Sequence, residues 1–193
     1  MYKALAARPR DFWLHDLFAK KNEEVVLLKI EIKVIEPPSE WLNILSELIV
    51  NLWGVRFQNY LKRHVGATCI GDFCMIWTTD RSVDEELVVY EGSWIGVRFK
   101  DKILPSINLA EKVFKEHGIR AAAVVVSSKS VELFLYGRDI LESSVLERHA
   151  PCNGLVAVLD ASDHQVIGFA EYDPDCKCYR HVYDLSIFLR VLG

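Results

Sequence analysis

Three groups of residues have the types and spacing to do chemistry. The first are thiols. Cys69 and Cys74 flank Ile70-Gly71-Asp72-Phe73, which reads as a hairpin with a two-residue Gly-Asp loop. In that register the two cysteines face each other in a non-hydrogen-bonded pair, where side chains come closest. The geometry admits a cross-strand disulfide, and two buried free thiols are the other reading. Cys176-x-Cys178-x-x-His181 has a spacing unlike the paired CxxC of structural zinc. On a strand the two cysteines share a face and His181 points away, so no zinc site is expected. The second group pairs acids, thiols and imidazoles. Cys152 has His149 and His181 as conceivable bases, but it lies between Pro151 and Asn153 with no supporting motif. Asp160, Asp163 and His164 crowd one polar loop and read as a hairpin turn rather than a metal site. The third group interleaves cations with aromatics: Lys177, Tyr179, Arg180, His181 and Tyr183. Strand alternation puts Lys177, Tyr179, His181 and Tyr183 on one face and Arg180 on the other, unless a bulge intervenes. That face offers a cation and two phenols, a stacking platform for planar rings. In the alternative the tyrosines are core and the cations a solvated edge. Lys62-Arg63-His64 is a further basic cluster and reads as a solvated turn.

Catalytic signatures are missing. There is no G-x-S-x-G, P-loop, Rossmann glycine pattern or HExxH, so no enzyme activity and no cofactor are expected. The chain has 193 residues, 51% hydrophobic and 26% charged, with five cysteines and a formal net charge of -4. That composition suits a globular fold with a substantial core. The charge argues against a broad basic field for nucleic acid. No apolar run reaches the roughly 20 residues of a membrane span. Arg8, Arg10, Asp11, His15 and Asp16 interrupt the start of the chain, which makes a secretory signal unexpected. The expected location is cytoplasmic.

The elements that must position these residues follow from periodicity. Residues 9–21 carry Phe12, Trp13, Leu14, Leu17 and Phe18 at helical spacing. Residues 25–35 form a strand, with strict charged–apolar alternation from Lys29 predicting one buried face. Ser39 is the expected cap of a helix to Trp53, with Trp41, Leu45, Leu48 and Leu52 on its stripe and Gly54 as its stop. Residues 55–104 read as strands and turns, including apolar segments at 73–77, 87–90 and 94–99. A helix over 109–117 follows, with Asn108 and Glu111 as a capping pair and Gly118 as the exit. Residues 121–126 are a continuous small-apolar run, a strand buried on both faces. Residues 127–136 predict a helix ending at Gly137. Residues 138–145 add a compact turn or strand. Two strands, 155–159 and 166–170, flank the polar loop 160–165, and a strand with an aromatic-rich end closes the chain after Cys178.

The C-terminal third resembles a PUA domain, a small mixed β-barrel that binds RNA. The residues carrying the resemblance are Val124-Val-Val126, Leu133-Phe-Leu-Tyr-Gly-Arg-Asp-Ile-Leu141, Gly154-Leu-Val-Ala-Val158 and Gly168-Phe-Ala170. More narrowly, Phe134-Leu-Tyr-Gly137 with the closing Asp184-Leu-Ser-Ile-Phe-Leu-Arg190 looks like the nip-seven family of ribosome-biogenesis factors, in its archaeal type. That family places an α/β "pre-PUA" domain ahead of the PUA domain. Tyr90-Glu-Gly-Ser-Trp-Ile-Gly96 sits where that domain's end belongs. The resemblance implies a mixed α+β chain in three parts: an extension over 1–35 without a family counterpart, a pre-PUA α/β domain over 36–120, and a PUA-type mixed β-barrel over 121–193. Two departures accompany it. The segment between Ala170 and Asp184 is shorter than in eukaryotic members, and Ser186 stands where the family has Gly.

The resemblance implies RNA binding without catalysis, in pre-rRNA processing, with ribosome-assembly or RNA-processing proteins as further partners. PUA-bearing RNA-modification enzymes and an adaptor without RNA binding are the alternatives. The implied RNA contacts are Gly137, whose lack of a side chain lets backbone approach RNA, then Arg138 for phosphate, and Lys177, Tyr179 and Arg180 on the last strand. For Gly137 and Arg138 the other reading is a helix cap beside a surface arginine. From Ala121 onward there are six Lys/Arg against ten Asp/Glu, while residues 1–120 balance at 17 of each. The suspected RNA-binding part carries the whole net negative charge, so its site must be a small local patch.

Overall fold

The computed structural model describes residues 32–81, 92–99, 101–119 and 121–187. The helix over 9–21, the strand start at 25–31, the segment 87–90 and Arg190 lie outside them. Two sheets hold the described chain together. The first is an antiparallel meander of β1 (Ile32–Ile35), β2 (His64–Ile70), β3 (Phe73–Thr79), β4 (Ser93–Phe99) and β5 (Lys102–Pro105), each strand beside the next. Helix α1 (Ser39–Trp53) and helix α2 (Ile107–His117) accompany it. The second is a mixed sheet with strand order β7 (Ile140–Leu141), β11 (Cys178–Asp184), β10 (Val166–Asp173), β9 (Leu155–Asp160), β6 (Ala123–Val126), β8 (Val145–His149). Helix α3 (Ser128–Leu135) follows β6. Among the described strands only β6 and β9 run parallel, and α3, β7 and β8 lie in the crossover between them.

The second sheet has to curl. Its two edge strands, β7 and β8, are joined only by the 3-10 turn Glu142–Ser144. A connection of that length spans at most roughly 14 Å, whereas six flat strands would set their edges about 24 Å apart. The expected mixed α+β class with a barrel-like C-terminal sheet is therefore what the chain adopts.

Burial follows the pattern of each strand. In β6, Ala123 and Val125 join one hydrophobic cluster while Val124 and Val126 join the other. In β9, Ala157 and Leu159 divide from Val156 and Val158 in the same way. The first cluster is shared by both sheets. Trp53 at the end of α1 packs edge-on against Phe114 of α2 (centroids 5.6 Å) and reaches Phe169 of β10 (6.3 Å). Phe169 in turn stacks on Tyr183 of β11 at 5.4 Å. Fully buried Tyr183 donates its hydroxyl hydrogen bond to Pro105 O of β5. A buried phenol needs such a partner, and burial pushes its pKa well above the usual tyrosine value.

Local predictions meet the structure unevenly. The Gly71-Asp72 loop closes the β2–β3 hairpin, Gly71 has φ 55°, and Cys69 faces Cys74 in the ladder. The two sulfurs are bonded, so the disulfide reading holds there. Gly54 ends α1 in the left-handed region and its N–H bonds Val50 O at 2.8 Å. Ser39 is not the cap: Pro38 occupies that position and no side chain caps the helix. The buried stripe of α1 runs through Leu45, Ile49, Leu52 and Trp53, with Trp41 and Leu48 only partly covered. Helix α2 starts two residues before the expected position. Fully buried Ser106 caps it, accepting from Leu109 N (3.0 Å) while its hydroxyl donates to Trp94 O (2.7 Å). The Asn108–Glu111 pair therefore has no capping role. Strand β1, the described end of the strand predicted over 25–35 and an edge of its sheet, is exposed along its whole length, contrary to the predicted buried face. No described helix is long and apolar enough to cross a membrane.

Replacing Tyr183 by Phe leaves Pro105 O without its buried donor, a loss of about 1–3 kcal/mol. The urea midpoint of Tyr183→Phe should fall accordingly, and an unchanged midpoint would mean that this bond does not tie the two sheets.

Candidate nucleic-acid interface

The C-terminal end of α3 is built as a fixed turn. Tyr136 closes the helix and Gly137 follows at φ 76°. Gly137 N bonds Phe134 O at 2.8 Å and Arg138 N bonds Leu133 O at 3.1 Å. This pair of bonds is the Schellman arrangement, which needs a left-handed residue and favours glycine. The expected helix cap is thus real, and it dictates what the next residues present.

Opposite anchors hold this turn against β11. Asp139 Oδ1 accepts from His181 N at 2.8 Å. Fully buried Phe134 packs on the His181 ring, centroids 4.8 Å apart. Gly168 makes room for it: a Cβ there would lie 2.4 Å from Tyr183 O and 2.8 Å from Phe134 Cε1. Asp184, fully buried, accepts from Ser186 N and Ser186 Oγ, each at 2.6 Å, and sits 2.6 Å from His181 Nε2. The one Ser186 hydroxyl proton lies between Asp184 Oδ1 and the more distant Leu135 O (3.3 Å), so the 185–186 turn sits against the end of α3.

What this frame presents to solvent is specific. Tyr136 is 77% exposed, the most exposed large hydrophobic among the described residues, with Leu133 and Leu185 also exposed near the helix end. Arg138 is exposed and has no ion-pair partner among the described residues. An exposed phenol, a turn without a side chain at Gly137 and an uncompensated guanidinium therefore follow one another. Tyr136 was not among the residues expected to contact RNA. Its signal in the sequence was the large aromatic immediately before the capping glycine, where no helical face can bury it.

The last strand differs from its expected form. The β10–β11 register shifts between Phe169 and Ala170, whose partners are Tyr183 and His181. Val182 is the extra residue of a bulge, which inverts the alternation. Tyr179 and Tyr183 consequently fall into different hydrophobic clusters, each 1% exposed. Neither phenol is available for stacking, so the expected platform is corrected: these tyrosines are core. Burial raises the pKa of Tyr179. Lys177 is outside the strand, exposed in the β10–β11 turn with φ 50°. Arg180 is exposed but bound to Asp173, Nε to Oδ2 at 2.5 Å. That hydrogen bond holds the Asp173 carboxyl below its ordinary range.

Of the five expected contacts, Gly137, Arg138 and Arg180 come together: Asp139, next to Arg138, bonds the residue after Arg180. Lys177 lies along the same sheet edge, where Glu142 N bonds Lys177 O at 3.0 Å. Tyr179 is beneath this surface. Glu142 is itself tied to Arg148 (2.7 Å) and to the Tyr172 hydroxyl (3.2 Å). The Arg148 bond lowers its pKa.

The remaining chemistry candidates settle into structural roles. Asp160 and Asp163 accept from Ser162 N and Gln165 N, side-chain turns inside the β9–β10 loop. Cys152 points its sulfur at His149 O (3.3 Å) rather than at an imidazole, and burial raises its thiol pKa. Lys62-Arg63-His64 is not the solvated turn expected: His64 opens β2 opposite Thr79, Lys62 N bonds Thr78 Oγ1 at 2.7 Å and Lys62 Nζ is 3.9 Å from Asp80, so the cluster leads into the β2–β3 ladder. Cys176 and Cys178 are joined in a second disulfide, a pairing the sequence reading did not raise.

Comparison with known proteins matches these features. Residues 122–193 match the family model described as the UPF0113 PUA domain, so the C-terminal part of the chain carries a PUA domain. No curated protein matches the sequence. The chain is similar to a hypothetical protein from Pyrococcus horikoshii OT3, at 12% identity over 79% of this chain and 94% of that one, TM-score 0.57. It is similar to a conserved PUA domain protein from Thermoplasma acidophilum, at 10% identity over 83% of this chain and 100% of that one, TM-score 0.56. A PUA domain from Aeropyrum pernix K1, solved as a tartrate complex, is similar at 13% identity over 84% of this chain and 91% of that one, TM-score 0.55. At these identities the likeness is one of fold. None of these matches names the nip-seven family.

The Arg180–Asp173 pair predicts a pH signature. Because the folded pKa of Asp173 is depressed, its stabilisation is present above the unfolded value of about 3.9 and is lost as pH falls through the lower folded value. The melting temperature of Asp173→Asn should lie below that of the wild type at neutral pH, with the gap closing in acid. A gap that persists unchanged in acid would contradict the pairing.

Proposed function

We propose that this protein binds single-stranded or looped RNA through the turn Tyr136-Gly137-Arg138 and acts by binding, without a catalytic step of its own. PUA domains are generally RNA-binding modules, and the C-terminal part of this chain carries one. The observation that carries the proposal is the exposed aromatic followed by a left-handed glycine and an exposed arginine with no ion-pair partner among the described residues. Tyr136 is placed to stack on a base, and base–aromatic stacking tolerates any sequence. Gly137 admits close approach of a sugar or phosphate, and Arg138 supplies the charge-assisted contact to phosphate. Lys177 and Arg180 flank this centre along the β7–β11 edge. Double-stranded RNA fits the turn less well, because its bases are stacked away from a single exposed ring.

At the level of biology, the reading is a large-ribosomal-subunit biogenesis factor engaged in pre-rRNA processing. In it, residues 121–193 bind RNA, and residues 36–120 hold ribosome-assembly or RNA-processing proteins. It rests on the resemblance of Phe134-Leu-Tyr-Gly137 and Asp184-Leu-Ser-Ile-Phe-Leu-Arg190 to the nip-seven family. The rival is an adaptor that no longer binds RNA. It is favoured by the acidic balance of residues 121–193 and by the occupation of Arg180 by Asp173.

Filter binding of uridine-rich and adenosine-rich oligonucleotides at low and moderate salt separates the two. Wild-type protein should bind with a shallow salt slope. Tyr136→Ala should lose about 1–3 kcal/mol of affinity, and Arg138→Glu should reduce the steepness of the salt slope by about 1 or more. Both variants should keep the wild-type melting temperature, since both side chains are exposed. Absence of binding at low salt would support the adaptor and overturn the RNA reading.

A further inference from the structure

We infer that the Cys176–Cys178 disulfide is a thiol–disulfide exchange site, attacked by small thiols at Cys176 and closing a ring around Lys177. The two sulfurs differ in access. Cys176 is exposed in the turn after β10, while Cys178 is 3% exposed at the start of β11. The packed partner is fixed by its neighbours, since Cys178 pairs with Asp173 across β10 and with Leu141 across β7. The turn is fixed as well: Asp175 N bonds Asp173 Oδ1 at 2.8 Å, and Glu142 N bonds Lys177 O at 3.0 Å. An incoming thiol therefore meets one sulfur of the pair and finds the other held as a leaving group.

The second disulfide shows the contrast. Cys69–Cys74 links facing residues of adjacent strands inside the β2–β3 ladder, with Cys74 2% exposed and Cys69 half-buried. It braces two strands already paired, whereas Cys176–Cys178 encloses a single residue. That residue is Lys177, at φ 50°. A lysine occupies the left-handed region only when its surroundings hold it there, and here the cross-link spans it from both sides. Opening the cross-link releases that restraint.

The exchange balances with an external thiol as reductant. Its thiolate attacks Cys176 Sγ and forms a mixed disulfide. The Cys176–Cys178 bond breaks, its electron pair leaves on Cys178 Sγ, and Cys178 takes a proton from solvent. A second external thiolate attacks the external sulfur of the mixed disulfide and releases Cys176, which is protonated in turn. One protein disulfide and two thiols become a protein dithiol and one external disulfide.

The full-length chain tests this with neutral probes. Unfolded without reductant, the protein should show one free thiol, Cys152. Graded 2-mercaptoethanol on the folded protein, followed by alkylation and peptide mapping, should open Cys176–Cys178 at lower thiol concentration than Cys69–Cys74. Cys178→Ser should form a mixed disulfide with hydroxyethyl disulfide at Cys176 at least about tenfold faster than Cys176→Ser does at Cys178. Trypsin should cleave after Lys177 faster in Cys176→Ser than in the wild type. Free Cys176 and Cys178 in the unreduced chain, simultaneous opening of the two pairs, equal rates in the two variants, or unchanged cleavage would each overturn the proposal.

Discussion

A buried carboxylate organises the candidate interface. Asp184 is fully buried, and an ionised carboxylate in that position is costly unless donors replace water. Ser186 supplies two donors to Oδ1, its N–H and its hydroxyl, and His181 Nε2 lies 2.6 Å from Oδ2. Meeting that requirement bends the chain after β11 into the 185–186 turn and sets it beside Leu135 O at the end of α3. It also sets the His181 ring against Phe134. The serine that stands where the resembled family has glycine thus contributes a hydroxyl to this network. The surface turn at Gly137 is held from behind by an acid–imidazole–hydroxyl cluster that itself sees little solvent.

Local charge, rather than the sum over the chain, decides what such a surface can bind. The C-terminal part is acidic, yet its acids are largely committed. Asp173 holds Arg180, Glu142 holds Arg148, Glu171 holds Lys102 of the other sheet, and Asp139 caps a backbone N–H of β11. These pairs neutralise cations as well as acids, and among the described residues they leave Arg138 without an ion-pair partner near an exposed aromatic. An interface of this kind makes few phosphate contacts. Stacking and close backbone approach must then carry a larger share of affinity than in a broadly basic protein.

Elements defined by local periodicity were legible in the sequence. The doubly buried strand at 123–126, the stop of α1 at Gly54, the Gly71-Asp72 hairpin and the cap at Gly137 each depend on a few adjacent residues. Features set by tertiary packing were not. Ser106 outcompetes Asn108 as the cap because Trp94 O, far along the chain, completes its hydrogen bonding. The bulge at Val182 depends on how β11 must meet β10 and the 185–186 turn, and a single inserted residue reverses which tyrosine faces which core. Strand alternation therefore predicted a stacking face from Tyr179 and Tyr183, while the exposed ring is Tyr136. The charge count by chain segment needed no register, and it still limits any nucleic-acid site on residues 121–193 to a local patch.

The central claim is that the Tyr136-Gly137-Arg138 turn is the surface RNA touches. The most direct measurement is a titration of isotope-labelled protein with a uridine-rich oligonucleotide, followed through backbone amide and tyrosine ring resonances. Shifts should concentrate on the Gly137 and Arg138 amides and the Tyr136 ring, with smaller changes at Lys177 and Arg180 and none at Lys62 to His64. Shifts centred elsewhere, or a spectrum unchanged at saturating oligonucleotide, would contradict it.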